Sequence, residues 1–166
     1  MLSNFSENSN ELETITSQLL SVKHALTVPS WTTGLMLIIK ALGLKGEVIL
    51  PSFTFSATGH ALIWNNLKPV FADINPLTFN LDVNDVEKKI NNNTSAILGV
   101  HIFGNPCEMN SLQKLASKYE LKLIYDSAHA LGSKYKGDFI GKFGDCEGFS
   151  LSGTKMITSA EGGIIT

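Results

Sequence analysis

The sequence predicts an α/β protein built around a mostly parallel β-sheet. Short apolar runs that are rich in β-branched and aromatic residues follow turn residues, and helical patterns lie between them. The runs are apolar throughout and do not alternate with polar residues, which is typical of strands buried on both faces, as in a parallel sheet. Strands that alternate with helices are joined by right-handed crossover connections, so we expect helices on both faces of the sheet.

The predicted strands are too short for typical helices and are bounded by turn residues. Together they predict a seven-stranded sheet, in which the first strand is the weakest. They cover residues 24–28, 47–50, 69–74, 95–102, 121–125, 146–151 and 163–166.

The predicted helices occupy the segments between the strands. Residues 35–42 are almost wholly apolar and end before Gly43, a residue suited to a helix C-terminus. Residues 56–64 follow Pro51 and form the next helix. Asp82 is suited to cap a third helix, whose apolar face carries Val83, Val86 and Ile90.

Two further helices are predicted from capping and periodicity. Asn110 and Gln113 resemble a capping box, which predicts a helix that buries Leu112, Leu115, Ala116 and Tyr119. The first twenty or so residues form a polar lead-in with a helix that carries Leu12, Ile15, Leu19 and Leu20.

The composition predicts one domain over residues 1–166. Hydrophobic residues make up 43% of the 166, which argues against disorder, and 13 Lys and Arg against 15 Asp and Glu give a net charge of −2. A chain without basic excess is not expected to bind nucleic acid. No apolar run approaches the roughly 18–20 residues of a membrane helix, and no secretion signal is recognisable, so we expect a cytoplasmic protein.

Neither the cysteines nor the histidines predict a metal site. Cys107 and Cys146 are far apart and lack C-x-x-C spacing, which is typical of reduced thiols. The histidines at positions 24, 60, 101 and 129 form no pair with metal-binding helical spacing. Residues 137–142 are one residue short of a nucleotide-binding P-loop, and Phe143 stands where Ser or Thr would be needed.

Ligands of open parallel sheets bind beyond the carboxyl ends of the strands, and four such places carry suitable residues. The first is residues 30–34, whose hydroxyls and free N–H groups at a helix N-terminus could bind a phosphate or could merely cap the helix. The second is Asp126, followed by His129 on the same turn. Its carboxylate could pair with a cation or a ring N–H, or could cap a helix.

The third and fourth places are Lys155 and Phe55. Lys155 follows the strand at 146–151 among small residues, where its amine could bond covalently to an aldehyde, or could serve as a surface or phosphate-binding cation. Phe55 could stack on a flat ligand or could belong to the core. Taken together, the four places describe a ligand with an anionic end, an aromatic ring nitrogen and an aldehyde, which is pyridoxal phosphate.

Several motifs make the chain resemble the DegT/DnrJ/EryC1/StrS family of nucleotide-sugar aminotransferases, which are pyridoxal-phosphate enzymes of fold type I. They occur in the family's order over residues 20–166, and their combination is highly specific. The motifs are GEVILPSFTFSAT at 46–58, KPVFADI at 68–74, HIFGNP at 101–106, YDSAHALG at 125–132, FSLSGTK at 149–155 and EGG at 161–163.

The resemblance implies roles for individual residues. Lys155 corresponds to the lysine that bonds to the cofactor, and Asp126 to the partner of its ring nitrogen. His129 corresponds to a residue near the ring hydroxyl, and Phe55 to the aromatic residue that stacks on the ring. Ser150 and Thr32 correspond to phosphate contacts, and Thr33 is a second candidate from the same loop.

The resemblance also implies an activity: transfer of an amino group, typically from glutamate, to a nucleotide-linked keto-sugar by a homodimer. Two departures from the family matter. Trp31 stands where the family has a small residue, and its ring would obstruct the phosphate if it pointed into the site. The family's small C-terminal domain has no counterpart in these 166 residues. A cofactor-binding fragment or regulatory remnant without turnover is therefore the alternative, whereas a sugar dehydratase, which has His in place of the lysine, is disfavoured by Lys155.

Overall fold

The computed structural model describes residues 6–166, in which helices and strands alternate along most of the chain. In chain order the elements are α1 (Glu7–Leu20), β1 (Leu26–Val28), α2 (Trp31–Ala41), β2 (Glu47–Pro51), α3 (Ser56–Trp64), β3 (Lys68–Ala72), α4 (Val83–Lys89), β4 (Thr94–Val100), α5 (Met109–Lys118), β5 (Lys122–Asp126), β6 (Lys134–Tyr135), β7 (Asp138–Phe139), β8 (Cys146–Ser150) and β9 (Gly163–Ile165).

Seven of these strands form one sheet in the order β1-β9-β8-β5-β4-β2-β3. The pairs from β8 to β3 are all parallel, and only β9 runs antiparallel to both of its neighbours. The predicted α/β fold with a mostly parallel seven-stranded sheet is therefore confirmed.

The sheet is buried on both faces, as the wholly apolar strands predicted. Successive residues of β4 enter different cores: Leu98 packs with Leu35 and Leu62 of α2 and α3, whereas Ile97 packs with Leu112 of α5. Helices α2 and α3 thus cover one face, and α1, α4 and α5 contribute to the other. No helix among residues 6–166 is long and apolar enough to cross a membrane.

The start of α2 differs from the prediction. The helix begins at Trp31, earlier than the predicted residue 35, because Ser30 caps it by accepting a hydrogen bond from the N–H of Thr33 at 3.2 Å. The polar residues 31–34 therefore belong to the helix and not to a loop before it. At the other end, Gly43 has a φ of +63°, which suits the residue predicted to end this helix.

The other helix predictions had different outcomes. Helix α3 has the predicted bounds, and Asp82 caps α4 by accepting from the N–H of Asn84 at 2.8 Å. The prediction that Asn110 caps α5 is wrong, because the backbone carbonyl of Glu108 opens the helix and Asn110 lies in its first turn. Helix α1 lies within the predicted lead-in, whose residues 1–5 are outside the described part of the chain.

The hairpin formed by β6 and β7 was not predicted. Its two central residues, Lys136 and Gly137, both have positive φ, at 51° and 93°, as in the tight turns that match strand twist. Several strands also end earlier than expected. Strand β4 stops at Val100, and Ile102 begins a single 3₁₀ turn.

Two glycines let the N-terminus of α2 approach the sheet closely. The indole ring of Trp31 lies against Gly148 of β8, where even a methyl group would overlap the ring. A Cβ at Gly163 of β9 would lie only 2.8 Å from the backbone nitrogen of Trp31. Trp31 is consequently only 6% exposed, although it occupies the first position of its helix.

We expect Gly148→Ala to lower the free energy of unfolding by about 1–3 kcal/mol, since the added methyl overlaps the Trp31 ring on a central strand. Gly59→Ala is a matched control in α3, because the nearest atom to its added Cβ is Leu50 Cδ1 at 3.9 Å. That change should raise the free energy of unfolding by about 0.5–1 kcal/mol. Urea unfolding of both variants measures the difference, and a Gly148→Ala chain as stable as the unaltered one would contradict the expectation.

Candidate active site

A cavity of about 560 Å³ lies at the carboxyl ends of the central strands, beside the N-termini of α2 and α3. Asp126 is the last residue of β5 and Ser150 the last of β8, so both side chains reach this edge of the sheet. The cavity brings together six of the seven residues singled out from the sequence, which are Thr32, Phe55, Asp126, His129, Ser150 and Lys155.

Thr33 is the exception and does not line the cavity. Its N–H donates to Ser30 Oγ, and its own hydroxyl lies 3.0 Å from the same oxygen. The polar groups of Thr33 are therefore used to cap α2, and the sequence-based expectation that it contacts a phosphate receives no support from its position.

Asp126 is almost fully buried, at 6% exposure, and accepts hydrogen bonds from three groups. Its Oδ1 accepts from Trp31 Nε1 at 2.7 Å and from the N–H of Ala128 at 3.2 Å. Its Oδ2 accepts from Thr58 Oγ1 at 2.8 Å. A carboxylate has about four acceptor positions, so one position on Oδ2 is left for a further donor at the cavity.

Lys155 follows β8 in a turn in which its N–H donates to the carbonyl of Ser152 at 2.9 Å. Among the described residues, no carboxylate lies within 4.0 Å of its Nζ, so no ion pair holds the amine. Lys155 is half-buried as a residue and lines the same cavity as Asp126. It is therefore free to react with a ligand that enters.

His129 lies beside Lys155 in the cavity. Burial lowers the pKa of His129 below its ordinary value, the positive charge of Lys155 lowers it further, and the carboxylate of Asp126 opposes both. The ring is parallel to that of Phe103, with centroids 6.2 Å apart. A neutral imidazole that can donate one hydrogen bond and accept another is thus favoured at neutral pH.

The N-terminus of α2 provides the anion-binding end of the cavity. The first N–H groups of a helix have no partner within the helix, and the helix dipole adds partial positive charge there. Thr32, Ser150 and Ser152, which carry hydroxyls, line the same cavity as Ser30. This combination is typical of phosphate sites.

Phe55 stands at the mouth of the cavity and is 75% exposed, so the alternative that it is a core residue is wrong. A second group of aromatic side chains lies nearby. The ring centroid of Phe53 is 5.9 Å from that of Phe79 and 6.2 Å from that of Phe103. The entrance to the cavity is therefore aromatic and open to solvent.

Sequence reasoning missed two of the residues that contact Asp126. Trp31 was treated as a possible obstruction of the phosphate, but its ring lies on β8 and its indole N–H points to Asp126. Thr58 lies within a helix that was correctly predicted, yet nothing in the sequence indicates which strand end faces its hydroxyl. Both contacts join positions that are 95 and 68 residues apart in the chain.

A buried polar pair, His101 and Glu147, adjoins the cavity, whose lining includes His101. Both side chains are fully buried, with His101 Nε2 3.3 Å from Glu147 Oε1. The N–H of Cys107 donates to His101 Nδ1 at 3.1 Å, which assigns the ring proton to Nε2. Burial raises the pKa of the Cys107 thiol far above its ordinary value, so this cysteine is unreactive. Within residues 6–166, no three His, Cys, Asp or Glu side chains are placed to hold a metal ion.

The residues at the cavity fit pyridoxal phosphate. Lys155 offers an amine for the aldehyde, and Asp126 offers an unused acceptor position for a protonated ring nitrogen. The N-terminus of α2 offers N–H groups and hydroxyls for the phosphate. The Trp31 ring lies against Gly148 and forms part of the wall of the cavity, which has a volume of about 560 Å³ beside it.

Comparisons with known proteins agree on one family. The model of the DegT/DnrJ/EryC1/StrS aminotransferase family matches residues 1–166. GDP-perosamine synthase from Escherichia coli O157:H7 is 42% identical over 146 residues, which are 87% of this chain and 40% of that protein. The dTDP-4-amino-4,6-dideoxy-D-glucose transaminase of Escherichia coli is 44% identical over 127 residues, which are 76% of this chain and 34% of that enzyme.

Solved structures give the same result. The structure of DesI with its TDP-sugar product superposes with a TM-score of 0.96 and 45% identity, over 99% of this chain and 42% of DesI. The chain thus spans about two-fifths of the length of the relatives it matches.

We expect an NMR titration to give His129 a pKa below the ordinary 6.5, since burial disfavours its charged form. Lys155→Gln removes one of the two causes and should raise the His129 pKa, though not to 6.5, because burial remains. The matched control is Lys68→Gln, which removes a lysine paired with Glu47 at the opposite end of the sheet. An equal rise in both variants would contradict the assignment of this effect to Lys155.

Proposed function

Because the chain belongs to the DegT/DnrJ/EryC1/StrS aminotransferase family, we propose that it binds pyridoxal phosphate and supplies the cofactor-binding part of a nucleotide-sugar aminotransferase. The reaction is transfer of an amino group from an amino acid to a nucleotide-linked keto-sugar. The observation that carries the proposal is that Lys155, Asp126 and the N-terminus of α2 line one cavity.

Each cavity residue has a role in this proposal. The amine of Lys155 binds the aldehyde of the cofactor, and Asp126 keeps the proton on the ring nitrogen through its remaining acceptor position. Thr32, Ser150 and the N–H groups of α2 hold the phosphate. His129 contacts the hydroxyl of the cofactor ring, and Phe55 stacks on the face of that ring.

Proton transfer at the substrate carbon falls to Lys155. When bound, pyridoxal phosphate supplies an electron-withdrawing ring that stabilises the negative charge left as a proton leaves the carbon bearing the amine. Nζ of Lys155 takes that proton and returns it, which requires an amine that is not held in an ion pair. The absence of a carboxylate within 4.0 Å of Nζ among the described residues supports this role.

The substrate class is supported by the relatives. GDP-perosamine synthase and the dTDP-aminosugar transaminase are named for nucleotide-linked amino sugars, and DesI was solved with a TDP-sugar. The amino donor is glutamate by resemblance to the family. A homodimer is also proposed, and the exposed aromatic side chains of Phe53, Phe79 and Phe103, which lie next to His129, support coverage by a second copy.

A second candidate is cofactor binding without turnover, as expected of a fragment or a regulatory remnant. The chain's coverage of only 34–42% of its relatives favours keeping this candidate. Amination of a nucleotide-linked keto-sugar by the purified chain with glutamate would exclude it. A sugar dehydratase is disfavoured by Lys155, since that subgroup carries His at this position.

We expect the purified chain mixed with pyridoxal phosphate to show an absorbance band near the edge of the visible range. Borohydride should then fix the cofactor covalently on Lys155, as read by peptide mass spectrometry, because an amine bonded to an aldehyde is reduced to a stable product. Lys155→Gln should lose both the band and the label. The control Lys122→Gln, whose amine pairs with Asp145 away from the cavity, should keep them. Labelling of another lysine, or no labelling, would overturn the cofactor assignment.

A further inference from the structure

We propose that Trp31 is a positioning residue for Asp126. Its indole N–H holds the carboxylate in one orientation, so that the unused acceptor position of Oδ2 is kept for a ring nitrogen at the cavity. The inference rests on the proposed function, since it concerns how the carboxylate receives pyridoxal phosphate.

The hydrogen bond between Trp31 and Asp126 is short and buried. Trp31 Nε1 lies 2.7 Å from Asp126 Oδ1, and both residues are only 6% exposed. An indole N–H can only donate, and a buried carboxylate can only accept while it is ionised, so the direction of the bond is fixed. Ala128 N–H occupies the other acceptor position of Oδ1, which leaves none on that oxygen.

The second oxygen is held from the opposite side. Thr58 Oγ1 donates its only proton to Asp126 Oδ2, so the 2.9 Å contact between the hydroxyls of Thr54 and Thr58 must have Thr54 as the donor. Rotation of the carboxylate would break bonds to α2, to α3 and to its own turn at once. Oδ2 therefore keeps one unused acceptor position, and contacts from three separate segments fix the orientation of the carboxylate.

The backbone is shaped to admit this indole. Asp126 and Gly148 are Cα partners on β5 and β8, and the Trp31 ring covers Gly148 directly beside the carboxylate. Gly163 on β9 gives room for the backbone of Trp31. Trp31 also opens α2, so the residue that donates to the carboxylate is the first residue of the helix whose N-terminus lies at the cavity.

A purely structural role would need the ring but not its N–H. Trp31→Phe distinguishes the packing role of the ring from the hydrogen-bonding role of the N–H, because phenylalanine keeps an aromatic ring over Gly148 and cannot donate to Asp126. The probes are pyridoxal phosphate and 1-deaza-pyridoxal phosphate, in which carbon replaces the ring nitrogen. The control is Trp64→Phe, at the 76% exposed end of α3 and outside the cavity.

We expect Trp31→Phe to raise the dissociation constant for pyridoxal phosphate about tenfold, the size of effect that loss of one hydrogen bond to a charged group produces. The dissociation constant for the deaza analogue should change less than about twofold, since that analogue makes no bond to Asp126. Trp64→Phe should change neither. In the ligand-free chain, Asp126→Asn should shift the indole N–H resonance of Trp31 and leave that of Trp64 in place.

Three results for Trp31→Phe would overturn the inference while the proposed function stands. Equal weakening for both cofactors would mean that the substitution acts through packing or the phosphate end. Unchanged binding would mean that the indole does not position the carboxylate, and tighter binding would mean that it competes with the ring nitrogen. Failure of the proposed function looks different, because the unaltered chain would then bind neither probe and Lys155 would not be labelled. That result would overturn the inference as well.

Discussion

A buried carboxylate needs hydrogen-bond donors, and the arrangement around the cavity follows from this requirement at Asp126. An ionised carboxyl group that loses water without gaining partners is strongly destabilising. Among the described residues no cation pairs with Asp126, so the donors are neutral and come from α2, from α3 and from the turn after β5. These hydrogen bonds hold the N-termini of α2 and α3 at the carboxyl end of β5, and the cavity lies beside these two helix ends.

The cavity is lined by one lysine, one aspartate and one glutamate, which are Lys155, Asp126 and Glu161. The lowered pKa of His129 disfavours a second positive charge beside Lys155 near neutral pH. The end of the cavity that is proposed to hold the phosphate carries helix N–H groups and hydroxyls. His101 also lines the cavity and pairs in the interior with Glu147, while Asp126 accepts the indole N–H of Trp31.

The fold and most of the cavity residues could be predicted because they depend on local patterns and on one topological rule. Continuous apolar runs identified the strands, and residues at their carboxyl ends, such as Asp126 and Lys155, meet because parallel strands end at one edge. The contacts of Trp31 and Thr58 could not be predicted, since they depend on how deeply each helix approaches the sheet. Asn110 failed as a cap because the backbone carbonyl of Glu108, two residues earlier, opens the helix. The hairpin at Lys136 lacks the Asn-Gly signal that marks such turns.

The overlap between the Trp31 ring and any side chain at position 148 couples the substitutions that these two residues can tolerate. While the indole is in place, a side chain on β8 at this point overlaps the ring, and a larger side chain costs more stability. A residue smaller than tryptophan at position 31 would make room there, so substitutions at 148 are expected to cost less beside it than beside tryptophan. The two positions are therefore expected to vary together, and the effect of changing one depends on which residue occupies the other.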